Sequence, residues 1–298
     1  MMASNSQPNS VGRPFLLFQG LTLVGFAVYG IHLGLEHDWP TAWTRVGGFA
    51  SASLIAAAAA ALLLLFAALR PGAAGNMICL WAALLLFMAT NMLTWLPSIL
   101  AVPPGLGPSW SRFNWIGKIA VLGYALLSFA LLPAQLRRAT GLFANPRPGS
   151  WRATLIALGG FLGLGLALAL AAADPREANI ETLVFQATLP SITEEPVFRG
   201  LLVALFAGVL DERWVLAGAR IGWGWLACGL LFGLVHGLVF SPAHGLLFQP
   251  VPILATAVLG LMMGWLVARC GALWPAMLAH SFINATGSAV GLARALMA

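Results

Sequence analysis

Apolar residues along this chain run in blocks instead of alternating with polar ones. Blocks of about 20 residues with few or no charges recur from end to end, the length a helix needs to cross the hydrocarbon core of a bilayer. These blocks predict spans at 15–35, 48–69, 77–101, 115–136, 153–173, 182–210, 221–240, 251–268 and 272–293. The expected fold is all-α, a polytopic transmembrane helical bundle of nine spans, with eight as the alternative count. A β-barrel would show short alternating segments instead. The 182–210 block is long for one crossing and contains Pro190 and Pro196, so a tilt, a break or a half-buried lead-in is expected there.

Composition agrees: 60% of the residues are hydrophobic, 8% are charged, and the mean hydropathy is +0.90. A water-soluble core of this size has no use for so much apolar surface. The net charge of +6 does not point to nucleic acid, because the basic residues sit singly or in small groups between the apolar blocks. They read as topology signals. With the N-terminus inside, Arg13, Arg70, Arg137, Arg138, Arg147, Arg152, Arg213, Arg220 and Arg269 lie inside. Arg45, Arg112, Lys118, Arg176 and Arg294 then lie outside. This distribution predicts a multi-pass protein of the cell membrane with a cytoplasmic N-terminus. Trp39, Trp43, Trp110, Trp115, Trp151, Trp214 and Trp274 near span ends suit an interfacial aromatic belt. Cys79, Cys228 and Cys270 show no CxxC spacing and read as buried free thiols. The polar first dozen residues and the long apolar block after Arg13 do not resemble a signal peptide.

The Arg- and Pro-containing stretch from Leu136 to Arg152 is the expected boundary between an N-terminal membrane region, 1–148, and a second region, 149–298. No internal repeat is evident. The unusual polar residues lie beyond the boundary: Glu194, Glu195 and Arg199 in TEEPVFRG, His236 in FGLVHG, and His280 with Asn284 in HSFIN. Ionisable groups at membrane depth are costly; they face a bundle interior or a watery cavity, pair with one another and mark functional sites. On a helix Arg199 lies about 40° from Glu195 but roughly 140° from Glu194. Glu195 is therefore the expected partner of Arg199, and Glu194 is left to point elsewhere. Outside this set, His32, Glu36 and His37 read as interfacial and His244 as a loop residue; Asn91 and Thr94 read as groups that hydrogen-bond between helices.

A carboxylate, two imidazoles and a carboxamide on three helices suit amide hydrolysis. That reaction needs a base for water, a proton donor for the leaving amine and donors to the oxyanion. Here the sequence resembles the CPBP family of intramembrane proteases, which includes the CaaX prenyl endopeptidases. The motifs EExxxR, FxxxH and HxxxN occur in order as Glu194 to Arg199, Phe232 to His236, and His280 to Asn284. The resemblance covers about residues 180–290 and leaves the four N-terminal spans without a functional account. It implies that Glu194 and His236 activate water, His280 and Asn284 stabilise the oxyanion, and Glu195 with Arg199 organises the site. It also implies an opening toward the cytosol, whereas the charge distribution puts His236 near the outer end of its span.

The leading expectation is thus an intramembrane endopeptidase whose partners are the bilayer and a peptide or lipid-modified protein substrate. A catalytically silent scaffold or immunity factor, and a proton-coupled transporter, are the alternatives from other classes. If zinc were bound, its ligands would be Glu194, His236 and His280. The HExxH spacing is absent and Arg199 brings positive charge to the site, so a reaction without cofactor is the favoured expectation.

Overall fold

The computed structural model describes residues 11–68, 77–100, 113–172, 179–207, 212–241 and 243–297. Each of the nine expected spans falls on a helical stretch among these residues. The first region contributes α1 (Arg13–Glu36), α2 (Trp39–Ala42), a π-helical turn (Trp43–Gly47), α3 (Gly48–Ala68), α4 (Met77–Thr94), α5 (Leu96–Ile99), α6 (Trp115–Leu131) and α7 (Ala134–Ala139). The second contributes α8 (Trp151–Ala172), α9 (Ile180–Glu195), a π-helical turn (Pro196–Leu201), α10 (Leu202–Ala207), α11 (Trp223–Gly237), α12 (Pro250–Cys270) and α13 (Trp274–Met297).

Five of these stretches are long and apolar enough to cross a membrane, and α6 and α11 are shorter apolar helices. On α1, Leu17, Leu21, Val24, Val28, Ile31 and Leu35 are exposed at spacings of three and four residues. An exposed apolar stripe with helical period has lipid as its solvent. The chain is an integral membrane protein with an all-α bundle.

Two short antiparallel hairpins decorate the bundle, and the sequence reading missed both. Glu212–Leu216 (β1) pairs with Ala219–Gly222 (β2), and Leu238–Ser241 (β3) with Gly245–Phe248 (β4). The first turns through Ala217 and Gly218, both at positive φ, the geometry of a tight hairpin loop. The expected seventh span, 221–240, is correspondingly shorter, because Leu238 leaves the helix to start β3. The fourth span ends at Leu131 and not at 136, since Pro133 breaks the helix before α7.

The long 182–210 block is a helix interrupted after Glu195, where Pro196 opens the π-helical turn. All six residues of that turn are buried, among α4, α6, α10, α11 and α12. A π-turn inside a helix often marks a functional site. Helices α11 and α12 approach closely along Gly229, Gly233 and Gly237: a Cβ on Gly233 would sit 2.5 Å from the Ile253 carbonyl oxygen. Small residues at four-residue spacing let membrane helices pack backbone to backbone. Arg70, Trp110, Arg112, Arg176 and the side chain of Arg213, used to assign topology, lie outside the described residues or side chains.

Candidate active site

The expected partnership of Glu195 and Arg199 is present: Nη1 of Arg199 lies 3.2 Å from Oε1 of Glu195, and both side chains are buried. The π-turn after Glu195 does not separate them. The Arg199 guanidinium also stacks over the Phe232 ring at 4.0 Å, a cation–π contact in a water-poor place. The phenylalanine of the second motif thus supports the arginine of the first. The Phe198 ring meets Phe232 edge-on at 5.1 Å.

His280 joins this group from α13: its Nδ1 lies 2.8 Å from Glu195 Oε1. A carboxylate beside an arginine accepts, so Nδ1 donates. Its Nε2 faces Glu194, 3.9 Å from Oε2. His236, at the end of α11, donates from Nδ1 to the Phe232 carbonyl at 2.7 Å, because a carbonyl oxygen can only accept. Its Nε2 also lies 3.9 Å from Glu194 Oε2. Both imidazoles are therefore oriented by their Nδ1 bonds, with Nε2 turned to the same carboxylate oxygen. That oxygen is buried and has no hydrogen-bond partner among the described residues.

Glu194, which helical geometry leaves to point away from Arg199, has a partner of its own. Its Oε1 accepts from the Lys118 ammonium, on α6. The charge distribution along the sequence gives Lys118 only a topology role. The first turn of α6 is fastened on two sides. Asn114 caps it by accepting from Gly117 N at 3.0 Å and donates from Nδ2 to the Thr94 carbonyl at the end of α4. Trp115 donates from Nε1 to Glu181 on α9 at 3.2 Å, and its ring meets Phe185 edge-on at 5.2 Å. A Cβ on Gly117 would lie 2.2 Å from the Thr94 oxygen, so the close approach of α6 to α4 depends on that glycine. One signal could have disclosed Lys118: it is the sole lysine in 298 residues, set inside an apolar block. A lysine so near a helix N-terminus also works against the helix dipole.

A cavity of about 140 Å³ opens onto Glu194 and His236. The N-terminal region lines it with Phe87, Asn91, Thr94, Trp95, Lys118 and Val121; the motif helices add Val197, Phe198 and Val235. Asn91 donates to Ser53 on α3 at 2.6 Å, as the inter-helix reading expected, while the Thr94 hydroxyl bonds within its own helix. Asn284, one turn beyond His280, is half-buried with no side-chain hydrogen bond among the described residues, and it is not among the residues lining this cavity. Away from the site, His32 and Glu36 form an exposed surface pair at 3.4 Å, His244 is an exposed turn residue, and the three cysteines are buried and free.

The oxygen and nitrogen atoms of Glu194, His236 and His280 belong to types that zinc accepts. Their setting does not fit a resident cation. The Lys118 ammonium already holds Glu194, Arg199 stands behind Glu195, and no group of three or more His, Cys, Asp or Glu among the described residues is arranged to hold a metal ion.

Fold and site together define a polytopic α-helical membrane protein with a carboxylate–histidine centre buried between its helices. Residues 176–286 match the family described as Rce1-like, type II CAAX prenyl endopeptidase, so the CPBP resemblance read from the three motifs is borne out over that segment. Comparison with curated proteins and with solved structures finds no match.

Proposed function

We propose that this protein is an intramembrane endopeptidase that hydrolyses peptide bonds of membrane-embedded or lipid-anchored substrates with water activated by Glu194 and His236. The observation that carries the reading is the convergence of the His236 and His280 Nε2 atoms on Glu194 Oε2, each at 3.9 Å. That separation is too long for a direct hydrogen bond and suits a water shared among the three. In this reading the water oxygen attacks the scissile carbonyl carbon as Glu194 or His236 takes its proton. The C–N bond of the tetrahedral intermediate then breaks, and the same proton passes to the leaving amine.

The oxyanion needs donors. Asn284 carries an amide N–H for that purpose. His280 can donate from Nε2 only as an imidazolium, because its other nitrogen is committed to Glu195. Glu195 and Arg199 act as positioning residues through His280 and Phe232. Lys118 is assigned to the same machinery as the counter-charge that orients Glu194. The step uses no metal.

The arginine distribution supports a cytoplasmic Arg137–Arg152 loop, with the active cavity at the far end of α11. The direct test is turnover by purified full-length protein in detergent of two peptides, one prenylated with a CAAX end and one unmodified transmembrane segment. Cleavage of either, absent in Glu194→Gln, supports an endopeptidase. Cleavage of neither, with folded protein, favours the silent scaffold.

A further inference from the structure

A second cavity, of about 260 Å³, lies at the opposite end of α11 from the active cavity. From Trp225, which lines it, to Val235, which lines the active cavity, is roughly 15 Å along the helix. Arg138 of α7, Arg147 of the following loop and Arg220 of β2 line it, all three exposed. Arg199 lines it from within and is buried. No Asp or Glu is among the described lining residues.

Two further observations give this basic cavity a direction. Gly222, Gly224 and Trp225 also line it, and they form the N-terminus of the 15-residue α11, whose N-cap Gly222 supplies no side-chain hydrogen bond. The first backbone N–H groups of a helix have no partner within it and attract anions. Neither terminal nitrogen of Arg199 has a hydrogen-bond partner among the described residues, since its approach to Glu195 lacks hydrogen-bond alignment. Arg147 is braced by donating from Nη1 to the Ala268 carbonyl at 3.1 Å, and the Trp225 indole is spent on the Leu261 carbonyl at 3.0 Å. The remaining donors are guanidinium and backbone N–H groups, a combination matched to the oxygens of a phosphate.

We infer that this cavity binds a phosphate-bearing anion, either a phospholipid headgroup or a soluble phosphate. Its lining comes from the ends of α7, α11 and α12 and from β2, with Arg138, Arg147 and Arg220 exposed. The inference is independent of the proposed hydrolysis, because binding is read directly. Inorganic phosphate is titrated against full-length protein in detergent. In parallel, nanodiscs of phosphatidylglycerol in phosphatidylcholine are tested for phosphatidylglycerol retained by the released protein in native mass spectrometry.

The expected result is one saturable ligand per chain in at least one arm. It should weaken about tenfold or more in Arg138→Gln/Arg220→Gln, which removes two charge-assisted contacts. Retention of phosphatidylglycerol alone makes the ligand a lipid; saturable inorganic phosphate makes it a soluble anion. No saturable binding in either arm overturns the inference, and so does equal binding by the variant. Should the double variant fail to fold, Arg220→Gln alone, at an exposed strand position, provides the same comparison.

Discussion

Replacing Lys118 by methionine keeps most of the side chain's length and removes its charge. Glu194 then keeps a negative charge in a site where its other oxygen is already without a hydrogen-bond partner among the described residues. Removing one member of a buried pair costs on the order of 3–5 kcal/mol, mostly from the charge left behind. Both side chains are 14% exposed, so water from the cavity offsets part of this, and we take about 3 kcal/mol. Relief of the unfavourable contact between a lysine and a helix N-terminus returns only a few tenths. If that loss falls on the orientation of Glu194 in the transition state, kcat drops about 10²-fold while KM stays within about threefold. Lys118→Arg preserves the charge and should keep kcat within about tenfold of wild type. The assay is steady-state hydrolysis of a fluorogenic membrane peptide in detergent, with thermal midpoints to confirm folding. Wild-type kcat in a folded Lys118→Met protein would refute the reasoning. A rise in KM alone would move Lys118 from positioning the base to docking the substrate.

Glu194→Gln should lower turnover by about 10³-fold or more and, because it strands Lys118, also lower the thermal midpoint; unchanged turnover would remove Glu194 from the chemistry. Glu195→Gln should be the less stable of the two, by on the order of 3–5 kcal/mol relative to wild type, since Arg199 and His280 both lose a fully buried partner; equal melting would contradict the network. Gly233→Leu should prevent the contact of α11 with α12 and give aggregated or unfolded protein by size-exclusion chromatography. For topology, Ser150 is buried and unsuitable as a probe, so cysteines belong at Pro148 and His244, which are exposed. An impermeant thiol reagent on intact cells should label the second and not the first if the arginine-rich loop is cytoplasmic. Prolonged chelation should leave hydrolysis intact; one zinc per active chain, with activity lost on chelation and restored by zinc, would decide for a metal-dependent reaction.

The spans were legible because lipid imposes one requirement, about 20 apolar residues per crossing, and nine such blocks stand in the sequence. The Glu195–Arg199 pair was legible because it depends only on helical spacing, which survived the π-turn. Leu238–Ser241 was not: Leu-Val-Phe continues the apolar run of α11, and periodicity cannot separate a short buried strand from another helical turn. The fold of the Arg-containing loop was hidden too: it turns back so that the Arg147 backbone N–H donates to the Cys270 carbonyl at 2.7 Å, a contact between residues far apart in the sequence. Lys118 is separated from Glu194 by 76 residues, and although a sole lysine in an apolar block is unusual, nothing in the sequence says which carboxylate it meets. Its position at the edge of a span gave it an ordinary explanation as a topology charge.

That contact changes what the motif-bearing segment can be by itself. Within residues 176–286 the site holds Glu194, Glu195 and Arg199, two carboxylates against one permanent cation. Arg199 is turned to Glu195, whose Oε1 it shares with His280, so Glu194 depends on a charge from outside the segment. Lys118 supplies it, and the site becomes two carboxylates facing two basic side chains. Burying an uncompensated carboxylate costs several kcal/mol, so the segment alone would leave Glu194 without a counter-charge. A divalent ion could provide the same compensation, but the Lys118 ammonium already holds Glu194. The N-terminal region therefore acquires a role in the proposed reaction: α4 and α6 wall one side of the cavity, and α6 carries the lysine that holds Glu194 in place.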